Sequence, residues 1–484
     1  MAITIDEMAN FCKRKGFVYP TAEIYGGLAG FWDFGHLGSE LKNNIKSQWW
    51  KFHVHGRDDI VGIDGAIITN PKIWEASGHV ENFTDVAVVC KKCKNKFKVD
   101  EAELATAVCD KCGGEIESKG KFVPMFTTQV GPVEEDSTMA YLRPETAQLI
   151  FSNFKLVQDN ARQKLPFGIA QIGKSFRNEI APRNFLFRCR EFEQMEIEYF
   201  IDPDKKYACS KYACIENFEL NIYSDEMQEE NQEPKIMKIK DALKNKIIAL
   251  PWHAYWLSTE LNWFYNLGAK PENFRVRQHV KNEKSHYSTD TWDIEYKFPF
   301  GWKELQGIAD RGVYDLTAHQ EKSKKSMEMV DNISNKKLLP MVVAEPSLGL
   351  ERAFLVFMFD AYETNEKGNV ILKLSPKIAP IKVAILPLVK KDVALVKIAK
   401  EISKELKQEW NTVYDESGSV GRRYARNDEV GTPFCITVDS ESFEDKKVTI
   451  RNRDDGEQKR IDISGIKDII RKLINNELTF EDLQ

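Results

Sequence analysis

Residues 166–201 read PFGIAQIGKSFRNEIAPRNFLFRCREFEQMEIEYFI. Two β-rich runs, GIAQIGKSF and EFEQMEIEYFI, flank the polar loop NEIAPRN, which is the pattern of an antiparallel hairpin. Successive side chains on a strand alternate faces. Ser175, Arg177 and Glu179 therefore share one face, and Lys174, Phe176 and Asn178 the other. The run also contains GIAQIGKS (168–175), a literal G-x-x-x-x-G-K-S phosphate-loop pattern. A working phosphate loop needs a strand before its first glycine and a helix opening after its lysine. Here the four variable positions are themselves strand-like and FRNE follows, so the sequence favours the hairpin.

On the N-terminal side of the hairpin, GSELKNNIKSQWWKFH (38–53) places Leu41, Ile45, Trp49 and Phe52 on one helical face. A strand-like run, IVGIDGAIIT, follows and ends at Asn70-Pro71. On the C-terminal side, residues 203–250 are rich in Lys, Glu and Asn and read as an exposed helical insertion. HAYWLSTELNWFYNLG reads as a helix and DTWDIEYKFPFGWKELQGIAD as antiparallel strands. MVVAEPS is a buried strand running into the apolar helix GLERAFLVFMFDAYE. The two prolines of LSPKIAPIKV mark a linker near residue 378. Beyond it, IKVAILPLV, a helix at 391–409, NTVYD, a helix near 418–430, FCITVD, KKVTIRN and a helix at 464–476 alternate in α/β fashion.

The 484 residues exceed one ordinary domain and predict two or three cores. Hydrophobic residues at 42% and charged residues at 30% describe a globular, soluble composition. No apolar run approaches the length of a transmembrane helix, and MAITIDEMANFCKRKGF lacks the apolar centre of a signal peptide. A cytoplasmic location without membrane contact is the expectation. Net charge is −5, and residues 376–484 hold 20 Lys/Arg against 20 Asp/Glu, so no overall basic field announces nucleic acid. An RNA partner would have to be held by local patches and shape.

Four stretches carry the chemistry together: RPETAQ (143–148), FRNEIAPRNFLFRCREFEQMEIE (176–198), ELQGIADRG (304–312) and EPSLGLER (345–352). Their arginines recur beside apolar β residues, where an unpaired charge is costly, so a polyanionic ligand is the natural partner. The neighbouring carboxylates suit a cation, Mg2+ or an amino group.

FRNE followed by REFEQME resembles motif 2 of the class II aminoacyl-tRNA synthetases, and GLER after a buried strand resembles motif 3. Together with RPETAQ, GHVENFTD (78–85), ELQGIADRGVYDL, EPSLG, IYGGLAGFWDFG (24–35) and RRYARNDEVGTPF (422–434), they resemble the α2 glycyl-tRNA synthetase branch over nearly the whole chain. The resemblance implies an α+β catalytic domain built on an antiparallel six- to seven-stranded sheet, followed by an α/β anticodon-binding domain. Mapped here, these are residues 1–377, with insertions at about 90–124 and 203–250, and residues 378–484. The helix and strand at 38–71 resemble motif 1, which implies a homodimer. His36 stands where the family has proline.

By the same resemblance ATP, Mg2+, glycine and tRNA(Gly) are the ligands. Arg177 and Arg352 are implied as catalytic. The implied ATP site takes in Arg177, Asn178, Glu179, Phe187, Arg188, Arg190, Glu191, Phe192, Glu304, Leu305, Gly349, Leu350, Glu351 and Arg352. The implied glycine site takes in Glu145, Phe192, Glu193, Gln194, Glu196, Arg311, Glu345, Ser347 and Gly349. Glycine offers only an ammonium and a carboxylate, so carboxylates must hold the first and an arginine the second, while a filled pocket excludes any larger side chain. Retention of Arg177, Glu179, Arg352, Glu345 and Ser347 separates an enzyme from the alternative, a synthetase-like RNA-binding or accessory subunit that has lost catalysis.

Of nine cysteines, Cys90, Cys93, Cys109 and Cys112 form C-x2-C-x15-C-x2-C. That is the spacing of a four-thiolate zinc ribbon, structural because no position is left open. The alternative is a vestigial pair of knuckles with free thiols. The other five, and the histidines, carry no assigned role.

Overall fold

The computed structural model describes residues 3–483 apart from 83–84, 100–103, 105, 133–137, 282, 284–289 and 331–334. Phe83 and Thr84 of GHVENFTD, and part of the insertion at 90–124, thus lie outside the described residues.

The main sheet has nine strands: β1 (Ile60–Ile63), β2 (Phe167–Phe176), β3 (Glu191–Ile201), β4 (Glu219–Tyr223), β5 (Lys235–Lys238), β6 (Phe274–Gln278), β7 (Asp290–Phe298), β8 (Gly301–Asp310) and β9 (Met341–Gly349). Their spatial order is β5-β4-β6-β7-β8-β9-β3-β2-β1. From β6 to β2 every neighbouring pair is antiparallel, and β1 and β4 join this block in parallel. The hairpin of 166–201 is β2 and β3, in register from Phe167 opposite Phe200 to Phe176 opposite Glu191. Residues 168–175 lie wholly within β2, and no helix opens after Lys174, so the phosphate-loop pattern is a strand.

Apolar helices cover one face of the sheet: α1 (His36–Trp50), α2 (Pro251–Asn266) and α3 (Leu350–Ala361). The 38–53 stripe is as its spacing implies, with Leu41, Ile45 and Trp49 fully buried. His36 is the first residue of α1 after the cap Gly35. A proline is favoured there because that N–H has no helical partner in any case, and a histidine is tolerated for the same reason.

Residues 203–250 depart from the helical reading. They supply β4 and β5, which extend the sheet, and only short helices at Asp225–Glu229 and Ile239–Lys244. In ELNIY, Leu220 and Ile222 are buried while Glu219 is exposed and Asn221 and Tyr223 are half-buried, which is the two-residue period of a strand. Of the Lys and Glu residues that suggested a helix, only Glu219, Lys235 and Lys238 lie in these strands, and the rest lie in turns and the short helices.

After the linker a separate five-stranded sheet forms, in the order Thr412–Tyr414, Val383–Pro387, Phe434–Val438, Lys447–Asn452, Gln458–Asp462. Helices at Val393–Leu406, Val420–Glu429 and Ile466–Asn475 accompany it, and Val383, Ile385, Ile436, Ile450 and Ile470 centre its own core. The last strand was not legible, because QKRID has one buried apolar residue, Ile461.

Candidate active site

Antiparallel partners directly opposite one another present their side chains on the same face. Gln171 pairs with Glu196, Glu196 with Ser347, Ser347 with Gly307, and Gly307 with Asp293. This row crosses five strands. On that face lies a cleft of 340 Å³, chemically different at its two ends.

One end is cationic. Arg177 follows β2; its Nε donates to Pro144 O at 3.0 Å and its guanidinium lies 5.5 Å from the Phe192 ring. Arg352, in the first turn of α3, reaches back over the cleft. Its Nη1 donates to Glu304 O at 2.9 Å and lies 3.2 Å from Glu304 Oε1, while its guanidinium sits 4.6 Å over the Phe187 ring. Arg352, with Arg177 and His279, holds the Glu304 carboxyl below the usual range. Arg188 Nε lies 3.7 Å from Glu179. Two arginines converging beside the half-buried rings of Phe187 and Phe192 suit a planar base followed by phosphates.

The other end is walled by carboxylates. Glu145 is 3.3 Å from His79 Nε2 and accepts from Gln148 at 3.2 Å. Burial works against its charge, but His79, Arg311 and Arg177 hold it well below the usual carboxylate range. Glu196, opposite Ser347, accepts from the Thr146 hydroxyl. Burial and then the charge of Glu145 push its carboxyl up. Arg311 donates to both oxygens of Asp315 at 2.7 and 2.8 Å and to Glu345 at 2.8 Å. Gln194 accepts from Ser175 Oγ at 2.7 Å and donates to Ser347 Oγ at 3.2 Å, which fixes the floor between the two ends. Small residues, Gly307 and Ala309, complete the wall.

Most of the residues implied by the sequence meet in this cleft: Glu145, Arg177, Glu179, Phe187, Arg188, Phe192, Gln194, Glu196, Glu304, Leu305, Glu345, Ser347, Gly349, Glu351 and Arg352. Six do not line it. Leu350 is core. Glu191 pairs with Lys174, and Glu193 with Lys42 and Lys46, both on the opposite side of the hairpin. Arg190 donates to Glu179 O and Ala29 O at 2.8 Å each. The Asn178 amide donates to Pro124 O at 2.9 Å. Arg311 is buried and reaches the cleft only as far as Glu345, to which it donates. Strand alternation explains Glu191 and Glu193, which flank Phe192 in sequence and so point away from it.

Three lining residues, His279, Thr291 and Asp293, lie outside the four stretches and had no signal in the sequence. His279 Nε2 and Asp293 Oδ2 are 2.8 Å apart at the wall nearest Glu304. Burial raises the Asp293 carboxyl to about 6, while its hydrogen bond carries the His279 imidazole above its ordinary value in spite of burial. Only the register of β6 with β7 brings them together.

Cys90, Cys93, Cys109 and Cys112 converge in the insertion, with Sγ–Sγ separations of 3.5 Å (Cys90–Cys112) and 3.6 Å (Cys93–Cys109) and no disulfide. Both knuckles repeat one turn: Lys94 N donates to Cys90 O, and Gly113 N to Cys109 O. Four sulfurs 2.3 Å from a tetrahedral zinc are about 3.8 Å apart, so the donor set fits that ion.

Residues 382–473 match the anticodon binding domain family. Over nearly the full length the chain is similar to glycine–tRNA ligases. It is 44% identical to that of Treponema denticola over 98% of both chains, and 42% identical to that of Thermobifida fusca over 96% of both. It is 45% identical to that of Clostridium beijerinckii over 97% of this chain and 98% of the other. Among solved structures, a prolyl-tRNA synthetase from Cryptosporidium parvum superposes with a TM-score of 0.59 over 99% of this chain and 79% of the other, at 17% identity. That likeness establishes the class II synthetase fold.

Proposed function

The chain belongs to the glycine–tRNA ligase family, and from that premise we propose that the 340 Å³ cleft is where it joins glycine to ATP and then to tRNA(Gly). The glycine carboxylate attacks the α-phosphorus, pyrophosphate leaves, and the adenylate then acylates the terminal ribose hydroxyl of the tRNA. No protein nucleophile is needed; catalysis is positioning and charge compensation. The observation that carries the reading is polarity: paired arginines at one end, and Glu145, Glu196 and Glu345 at the other, across one row of the sheet.

Arg177 takes the α-phosphate and the attacking carboxylate, Arg352 the terminal phosphates, and Phe192 stacks on adenine with Glu179 at its amino group. Glu145, Glu196 and Glu345 take the glycine ammonium, with Ser347 beside them and Arg311 holding Glu345 in place. Mg2+, arriving with ATP, would neutralise phosphate charge, and Glu304, kept ionised by Arg352, is the residue to hold it.

We assign residues 1–377 to catalysis and 378–484 to the tRNA anticodon, with a structural zinc on the four cysteines and a homodimer built on 38–71. A cytoplasmic site of action goes with charging tRNA. Amino-acid-dependent exchange of pyrophosphate into ATP tests the central reading. Glycine should support exchange and alanine or serine only weakly; equal rates with alanine would remove the pocket assignment.

A further inference from the structure

Glu198 lies two residues beyond Glu196 on β3 and therefore shares its face. It is fully buried, and neither carboxyl oxygen has a hydrogen-bond partner. Across the ladder to β9, Glu196 pairs with Ser347 and Tyr199 with Ala344, which sets Glu198 opposite Glu345. One oxygen from each of Glu196, Glu198 and Glu345 lies within 4.8 Å of the others.

The charged groups acting on Glu198 are Glu345, Arg311, Glu196 and Asp315, the last from the helix Tyr314–Ser323. On the remaining sides β2 presents Ile169. The helix Ala147–Ala161 presents Gln148, which bridges Asp315 and His319. Arg311 is the one cation in this set, and its guanidinium is committed to Asp315 and Glu345. Two carboxylates this close in a dry interior, with one cation already bonded to one of them, cannot both ionise.

We propose that Glu198 is a positioning residue of the amino-group site, protonated while the cleft is empty and losing that proton to solvent when the glycine ammonium arrives between Glu196 and Glu345. This rests on the glycine reading of the acidic end. The O–H bond of Glu198 breaks, its electron pair stays on the carboxylate, and the ammonium keeps its own three protons. Burial and the neighbouring Glu345 already push the Glu198 carboxyl well above the usual range. An incoming cation favours the charged form and lowers it again, so glycine binds more tightly as pH rises, up to the pH at which Glu198 ionises unaided. Each pKa unit by which the ammonium lowers Glu198 strengthens glycine about tenfold.

The test is calorimetric titration of glycine into the full-length protein near pH 7, in phosphate and in Tris, whose ionisation heats differ. The expected result is a buffer-dependent heat reporting release of a large fraction of one proton per site. In Glu198→Gln the release should vanish and glycine should weaken by roughly tenfold or more, with ATP affinity unchanged. A buffer-independent heat in the unaltered protein, or proton release that persists in Glu198→Gln, overturns the proposal. Should that variant not fold, the glycine dissociation constant of the unaltered protein between about pH 6 and 8 decides instead: a fall with pH supports the proposal and a flat profile refutes it. Saturable ATP binding with no glycine binding at all would remove the glycine reading itself.

Discussion

Lys174 and Arg177 stand three residues apart and face different chemistry. Lys174 is exposed and paired with Glu191 on the side of the hairpin away from the cleft, whereas Arg177 enters the cleft beside Phe192. Lys174→Ala should therefore change adenylate formation by no more than about tenfold, the scale of losing an exposed ion pair and some local order. Arg177→Ala should lower it by several orders of magnitude, because an α-phosphate contact tightens as charge builds in the transition state. Single-turnover adenylate formation measures both, and a dead Lys174→Ala beside an active Arg177→Ala would overturn the site. Glu196→Gln should impair glycine more than ATP, by about 2–4 kcal/mol of transition-state binding, read from kcat/KM for each substrate. At this scale the sequence gathered most of the cleft's lining within the four quoted stretches, but those stretches also hold Asn178, Arg190, Glu191, Glu193 and Leu350, which do not line it. It was silent on His279 and Asp293, whose meeting depends on β6–β7 pairing. It could not separate Phe192, which faces the cleft, from Glu191 and Glu193, which alternate away from it.

The four-cysteine ribbon is the element whose stability rests least on apolar burial. Among the described residues its three strands, Asp85–Cys90, Lys96–Val99 and Ile116–Phe122, enclose a small buried cluster, Val86, Val88 and Val99. A zinc on the four cysteines would supply the missing stability in so small a unit. Elemental analysis should find about one zinc per chain, lost when Cys90→Ser and Cys93→Ser are combined, with a lower melting temperature and increased proteolysis within 85–122. A metal-free protein that folds and acts normally would reduce the knuckles to vestiges. Periodicity made the long elements legible: β2 and β3, α1, α2, and the strand running into α3 fall where the residues place them. It failed at β4 and β5, where Lys and Glu abundance outweighed a two-residue alternation only five residues long, and at Gln458–Asp462, where Ile461 is the one apolar residue. Edge strands need few buried side chains, so their sequences carry little pattern.

The sheet itself raises the question of what covers its ends. At one end the short β5, which carries Lys235 and Lys238, is the edge strand, a common way of ending a sheet safely. At the other end β1 has a neighbour, β2, on one side only. Gly62 in β1 lies under Trp50 so closely that a Cβ there would come within 2.1 Å of the indole, so α1 is packed hard against the strand's face. The strand's outer edge is left as a row of backbone donors and acceptors, and Ile67 and Ile68 stand exposed just beyond it. A second copy would satisfy an edge of this kind, and a self-complementary patch would give a closed two-fold dimer rather than a filament. Because α1 also contributes Lys42 to the Glu193–Glu351 pairs behind the cleft, pairing at β1 would hold the helix that supports the site floor. Light scattering should therefore report about twice the 55.7 kDa of the chain, with activity per chain falling on dilution below the dimer's dissociation constant. A monomer that keeps full specific activity across that dilution would refute both the dimer and its link to the site.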